Sequence, residues 1–202
     1  MSSVVIAGNT SGTITLDAPN VAGTTVLTLP TANGTVLTTA NVSSNLPAGS
    51  VLQVVSATKT DTASFTSSTF SDVTGLSVSI TPSSSSNKIL ILVNVNGSWQ
   101  NGITKIGGRL MRDSTAIAIG DAAGSRTRLT SELYFGVNGD TFLPMSMNYL
   151  DSPSTTSATT YKWQANSMDN AGTVYINKAY VDSDATYVGR GVSSITVMEI
   201  KG

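Results

Sequence analysis

Near the N-terminus the pairs Gly12-Thr13, Gly23-Thr24 and Gly34-Thr35 recur every eleven residues, each opening a run of Thr, Val, Ile and Leu. Pro19 and Pro30 follow the first two glycines by seven positions. A unit of this size makes one short strand and a turn. It has too little surface to bury an apolar face by itself, so such units stack on one another or on other chains. This beat points to an assembled or fibrous protein before any residue suggests chemistry.

Within the beat, Ile14 and Leu16 alternate with Thr13 and Thr15, and Leu27 and Leu29 flank Thr28. Alternation over so few positions marks short strands with one apolar face. Asn33-Gly34 signals a tight turn, since both residues accept positive φ. The prolines lack an N–H and stop each ladder from extending. Leu16, Leu27 and Leu29 are the candidate assembly residues. They would point to an axis shared by three chains, whose intertwining closes the strand edges. The plainer alternative is a small meander folded on the rest of the chain. The polar stretch 41–49, broken by Pro47 and Gly49, reads as a hinge. The expected organisation is therefore a β-repeat stem over 1–48 and a second domain over 49–202.

Composition narrows the chemistry. Only 11% of the residues are charged while 40% are hydrophobic, against about a quarter charged in an ordinary domain. Thr, Ser and Gly fill the difference, so the surface is rich in hydroxyls rather than ions, and β-branched Thr suits extended backbone. The formal charge is −1 and the Lys and Arg form no block, which argues against nucleic-acid binding through phosphates. With no cysteine, disulfides and Cys-based zinc sites are excluded. With no histidine, the commonest general base and metal ligand is missing, and a Ser-His-Asp triad is impossible. No metal and no cofactor is expected. No apolar run reaches the length of a membrane span, so no membrane insertion is expected. The opening residues lack the basic region of a signal peptide.

From Ser50 onward the pattern is a succession of short strands and polar turns. Residues 51–55 form the first. Phe70, Val73, Leu76, Val78 and Ile80 belong to the next pair, with Ser77 and Ser79 facing outward. Pro82 and the serines 83–86 make a turn. In 89–95, Ile89, Ile91, Val93 and Val95 share one face while Leu90 and Leu92 take the other, so this strand is read as central and covered on both sides, with Asn96-Gly97 ending it. Residues 106–112 and 115–119 read as a hairpin across Asp113-Ser114. Residues 126–135 read as a strand, with Leu129, Leu133 and Phe135 as core candidates. Tyr161, Trp163 and Ala165 alternate with Lys162 and Gln164, and 194–200 closes the domain with Met198 and Ile200 inward. No segment carries a helical stripe. The expected fold is all-β: a short N-terminal repeat segment followed by a jelly-roll-like sandwich, assembled as a trimer. The second apolar set on several strands needs a cover, supplied either by the opposing sheet or by another subunit.

Residues able to do chemistry are few. Glu132 and Glu199 are the only glutamates, which argues against a glycan-cleaving carboxylate pair. Asp182 and Asp184 lack the ligand series of a calcium loop and read as turn residues. Arg109, Arg112, Arg126 and Arg128 cluster in sequence around Asp113 and Asp121. Their guanidinium forks suit phosphate or acidic sugar. The plainer expectation is pairing with the aspartates, within the sheet or between subunits. Trp99 lies between Asn96-Gly97-Ser98 and Gln100-Asn101-Gly102 and is expected on or beside a turn. Trp99 and Asn101, with Tyr180 and Tyr187, are the candidate contacts for a stacked sugar ring.

The words Ser11-Gly12-Thr13-Ile14-Thr15-Leu16-Asp17-Ala18-Pro19, Ala22-Gly23-Thr24-Thr25-Val26-Leu27-Thr28-Leu29-Pro30 and Asn33-Gly34-Thr35-Val36-Leu37-Thr38-Thr39 resemble segments of tail-fibre and other appendage proteins of tailed bacteriophages. Arg112-Asp113-Ser114-Thr115-Ala116-Ile117-Ala118-Ile119-Gly120, Ser157-Ala158-Thr159-Thr160-Tyr161 and the closing Ser194-Ile195-Thr196-Val197-Met198-Glu199-Ile200 are similar to distal parts of small fibre proteins from aquatic phages. The resemblance implies a non-enzymatic, homotrimeric structural protein of the virion, on tail or head. Its N-terminal segment would bind other virion proteins, and its β domain would face a host-surface polysaccharide. A long shaft is missing, so a capsid decoration or adaptor without a host ligand is the alternative. No catalytic residue of tail depolymerases carries over, and a depolymerase is the least favoured reading.

Overall fold

The computed structural model describes residues 3–7, 13–17, 31, 42–100, 105–134, 141–168 and 172–202. The chain divides into two compact units, 1–41 and 42–202. In the first, β1 (Ser3–Ala7) and β2 (Thr13–Asp17) pair antiparallel, with Ser3 opposite Asp17 and Ala7 opposite Thr13. Leu16 belongs to β2; Leu27 and Leu29 lie outside the described residues.

The second unit begins with a single helical turn, α1 (Val42–Asn45). Among the described residues eleven strands follow: β3 (Val51–Lys59), β4 (Ala63–Phe65), β5 (Ser71–Ile80), β6 (Lys88–Trp99), β7 (Ile106–Arg112), β8 (Thr115–Ile117), β9 (Ser131–Leu133), β10 (Leu143–Asp151), β11 (Thr159–Ser167), β12 (Val174–Ile176) and β13 (Ser193–Ile200). One sheet runs β3-β13-β6-β12-β4 with β10 also on β6; the other runs β5-β11-β7-β8 with β9 also on β7. Gly97 faces both Leu143 and Ile176, so β10 holds one edge of β6 while β13 and β12 share the other.

The pairings nest. β3 pairs with β13, β5 with β11, β6 with β10 and β7 with β8, and successive pairs fall in alternate sheets. A long antiparallel ribbon folded over itself in this way is a jelly roll. The contacts β6–β13 and β7–β11 then join alternate pairs into the two sheets.

Period-two patterning builds the core. Ile89, Ile91, Val93 and Val95 of β6 meet Ile195 and Val197 of β13 on the inner face, and Tyr161, Trp163 and Leu110 line the facing sheet; all are buried. Each such side chain contributes roughly 1.5–3 kcal/mol on leaving water. A Cβ at Gly108 would overlap the Trp163 indole, so the small residue makes room for the largest one. In β5 the inward residues change parity, from Val73 to Leu76, Val78 and Ile80. The ladder to β11 shifts register there, and Gly75 carries φ +89°. This bulge returns the apolar set to the core after one out-of-step stretch.

Several readings change. Asn96-Gly97 does not end its strand: β6 continues to Trp99. A Cβ on Gly97 would stand 2.7 Å from Ile106 Cδ1, so this glycine serves close packing rather than a turn. Leu92 is not covered; it is 38% exposed. The strand read over 126–135 is reduced to β9, with the rest a loop and Phe135 outside the described residues. β8 stops at Ile117 because Ala118 takes φ +51°. In β13, Met198 and Ile200 point outward, and Glu199 takes the inward place beside Ile195 and Val197.

Candidate ligand-contact loop

The sandwich has two poles. At one, the chain enters and β13 ends: Gly49 N donates to Lys201 O (2.8 Å) and Lys201 N to Ser50 O (2.9 Å). At the other, the end of β3 meets the start of β13, Lys59 opposite Ser193. The loop 177–192 between β12 and β13 occupies this second pole.

Its base is fixed by one buried side chain. Asn177 sits at φ +63°, a conformation Asn tolerates better than most residues. Its Nδ2 donates to the carbonyls of Lys59 (2.8 Å) and Asp61 (2.9 Å), and its Oδ1 accepts from Ser193 Oγ (2.6 Å). Ser193 Oγ in turn accepts from Asn96 N (3.0 Å), and Asn96 Nδ2 donates to Val192 O (2.6 Å). Lys178 and Arg190 form a bridge across the neck. The loop is therefore presented from a rigid footing.

Above this base, the rings of Tyr175 and Tyr180 stack at 6.1 Å with planes 30° apart, and Lys178 Nζ lies 4.6 Å from the Tyr175 centroid. Asp182 accepts from Arg190 (2.7 Å) and Lys178 (3.4 Å). Tyr187, in the turn closed by Val188 N to Ala185 O (3.0 Å), is 77% exposed. Lys178 and Arg190 balance Asp182 and Asp184, so the loop carries no net charge. The exposed Tyr187 offers an apolar face and a polar tip. Such a side chain can lie flat on an apolar ring face and hydrogen-bond at its edge.

The sequence candidates disperse. Tyr180 and Tyr187 share this loop. Trp99 does not: it is 8% exposed, packed in the core at the end of β6 opposite Val174, which corrects its placement at a turn. Asn101 lies outside the described residues. Arg112 pairs with buried Asp151 through both carboxylate oxygens (3.0 Å each), while Asp113 accepts from Thr160 N (2.8 Å). Arg109 stacks on Phe70 (3.9 Å) and donates to Arg128 O (3.3 Å); its burial lowers its pKa. Arg126 and Arg128 donate to the carbonyls of Ala123 (3.3 Å) and Gly120 (2.6 Å). Their expected strand face does not exist, and each turns to its own loop. Sequence reasoning missed Asn177, Lys178 and Arg190. An Asn directly after the apolar run 174–176 was the available signal. Among the described residues no group of His, Cys, Asp or Glu is placed to hold a metal ion, and no helix is long and apolar enough to cross a membrane.

No protein-family model matches the chain, and no curated protein matches it. Among solved structures it is similar to the tripod (BppUct-A-L) from the baseplate of bacteriophage Tuc2009, at 11% identity and a TM-score of 0.21, over 93% of this chain and 82% of that one.

Proposed function

We propose that this chain is a non-enzymatic structural appendage of a tailed-phage virion, trimeric, held to the particle through its N-terminal segment and contacting host-surface polysaccharide with the loop 177–192. The observation that carries the reading is the two-ended layout of the sandwich. The chain enters and β13 ends at one pole, while the rigidly footed loop with Tyr180 and the exposed Tyr187 stands at the other. The N-terminal words that resemble phage appendage proteins agree with attachment at the entry pole. A single tyrosine platform binds a sugar weakly, and display in several copies multiplies that affinity.

Electron microscopy of phage particles carrying a C-terminal label tests the location; absence of label from purified particles overturns the reading. For the loop, Tyr187→Ala is expected to lower binding to host polysaccharide at least ~10-fold without shifting the melting temperature. Full binding by that variant would move the sugar contact off this loop, while no binding by the wild-type protein, with the label still on the particle, would instead favour a decoration or adaptor role.

A further inference from the structure

The two outer faces of the sandwich differ in kind. On the first sheet, Val54, Met198, Leu90 and Leu150 lie in cross-strand register and form an apolar rib across β3, β13, β6 and β10. Val54 is 56% and Leu150 47% exposed, and Leu92 adds a further open side chain. Ser, Thr and Asn fill most of the remaining outward positions, and the single charge, Lys88, sits at the entry-pole end. The outer face of the second sheet carries Asp72, Lys162, Arg109 and Glu132 instead. Both faces belong to one chain with one composition, so the contrast is positional. Depletion of charge around an apolar centre with polar surroundings is the pattern of an interface core.

We infer that copies of this chain pack together through the outer face of the first sheet, turned toward a shared axis. Around an axis like faces meet, and a nearly uncharged face packs there without taking ions out of water, as the second sheet's face would have to. Hydroxyls and amides both donate and accept, and a second copy of the same face satisfies them. Four strands and three outward rows span about 19 Å by about 20 Å. That projection, roughly 380 Å², is about half of the ~800 Å² per partner of a standard contact, so the rib forms the core of the contact rather than all of it. The inference rests on the oligomeric reading above and names the surface that reading requires.

The chain has no cysteine, so single thiols can report burial without disrupting the contact. Leu92→Cys and, on the opposite outer face, Ser79→Cys are alkylated under native conditions while mass is measured by sedimentation at micromolar concentration. The expected result is an oligomer in which the thiol at position 92 reacts at least tenfold more slowly than that at 79, and in which Leu92→Glu combined with Leu150→Glu gives a folded monomer. An oligomer with equal thiol rates overturns the assignment of this face and leaves the oligomeric reading intact. A wild-type monomer overturns both. A monomer with the thiol at 92 still protected would show that residues 1–41 of the same chain cover the face, and also overturns the proposal.

Discussion

Glu199 occupies a core-facing position on a central strand and is 1% exposed. It persists there because its carboxylate is met by fixed donors: Asn87 Nδ2 (2.5 Å), Gln53 Nε2 (2.6 Å), Ser83 N (2.6 Å) and Ser83 Oγ (2.8 Å). Burial alone would raise its pKa. The bonds from Asn87, Gln53 and Ser83 together outweigh burial and hold it below the ordinary glutamate value. A carboxyl depressed in the folded state stabilises the fold fully above its unfolded value, and that contribution is lost as pH falls through the folded one. Thermal stability is therefore expected to decline below about pH 4.5. Glu199→Gln sets an amide donor against existing donors and is expected to cost about 1–3 kcal/mol at neutral pH. Chemical denaturation at pH 7 and pH 4 checks both points, since the variant's loss should shrink at the lower pH.

At the scale of elements, the bulge in β5 is the position where one residue governs a whole strand. Gly75→Ala forces an L side chain to φ +89° and is expected to cost about 1–2 kcal/mol. Its Cβ would meet nothing nearer than 3.6 Å, at Lys59 Cβ, so the cost is conformational rather than steric. An unchanged unfolding midpoint would disprove this. The strands themselves were legible in the sequence wherever inside and outside alternate, as in 89–95 and 161–165. Register was not. Met198 looks more apolar than Glu199, and only the cage from the β5–β6 turn, distant in sequence, shows why the acid points inward. Asn96-Gly97 has the letters of a turn, but the close approach of Ile106 that makes Gly97 a strand residue is a tertiary fact. The candidate loop was half legible. Tyr180 and Tyr187 stand out in sequence, whereas Asn177 matters through carbonyls more than a hundred residues away.

At the scale of the molecule, the two sheets are tied at the entry pole by Asp151 of one and by Arg112 and Tyr161 of the other. Tyr161 Oη donates to Asp151 at 2.7 Å, and burial, reinforced by that carboxylate, pushes the phenol above its ordinary value. Arg112→Met removes the cation from a buried carboxylate. Because Arg112 is itself partly exposed, the expected loss is about 2 kcal/mol, less than for a fully buried pair. Adding Asp151→Asn should recover part of it, which a double-mutant cycle on unfolding free energies measures. The nested ribbon has a further consequence, for how the protein is made. β13 lies between β3 and β6, yet it leaves the ribosome after every other strand of the sandwich. Until it emerges, β3 and β6 each offer an unpaired ladder, and the first sheet cannot close. The nascent sandwich is thus most open to wrong pairing in the interval before β13 emerges, and its first sheet closes only then.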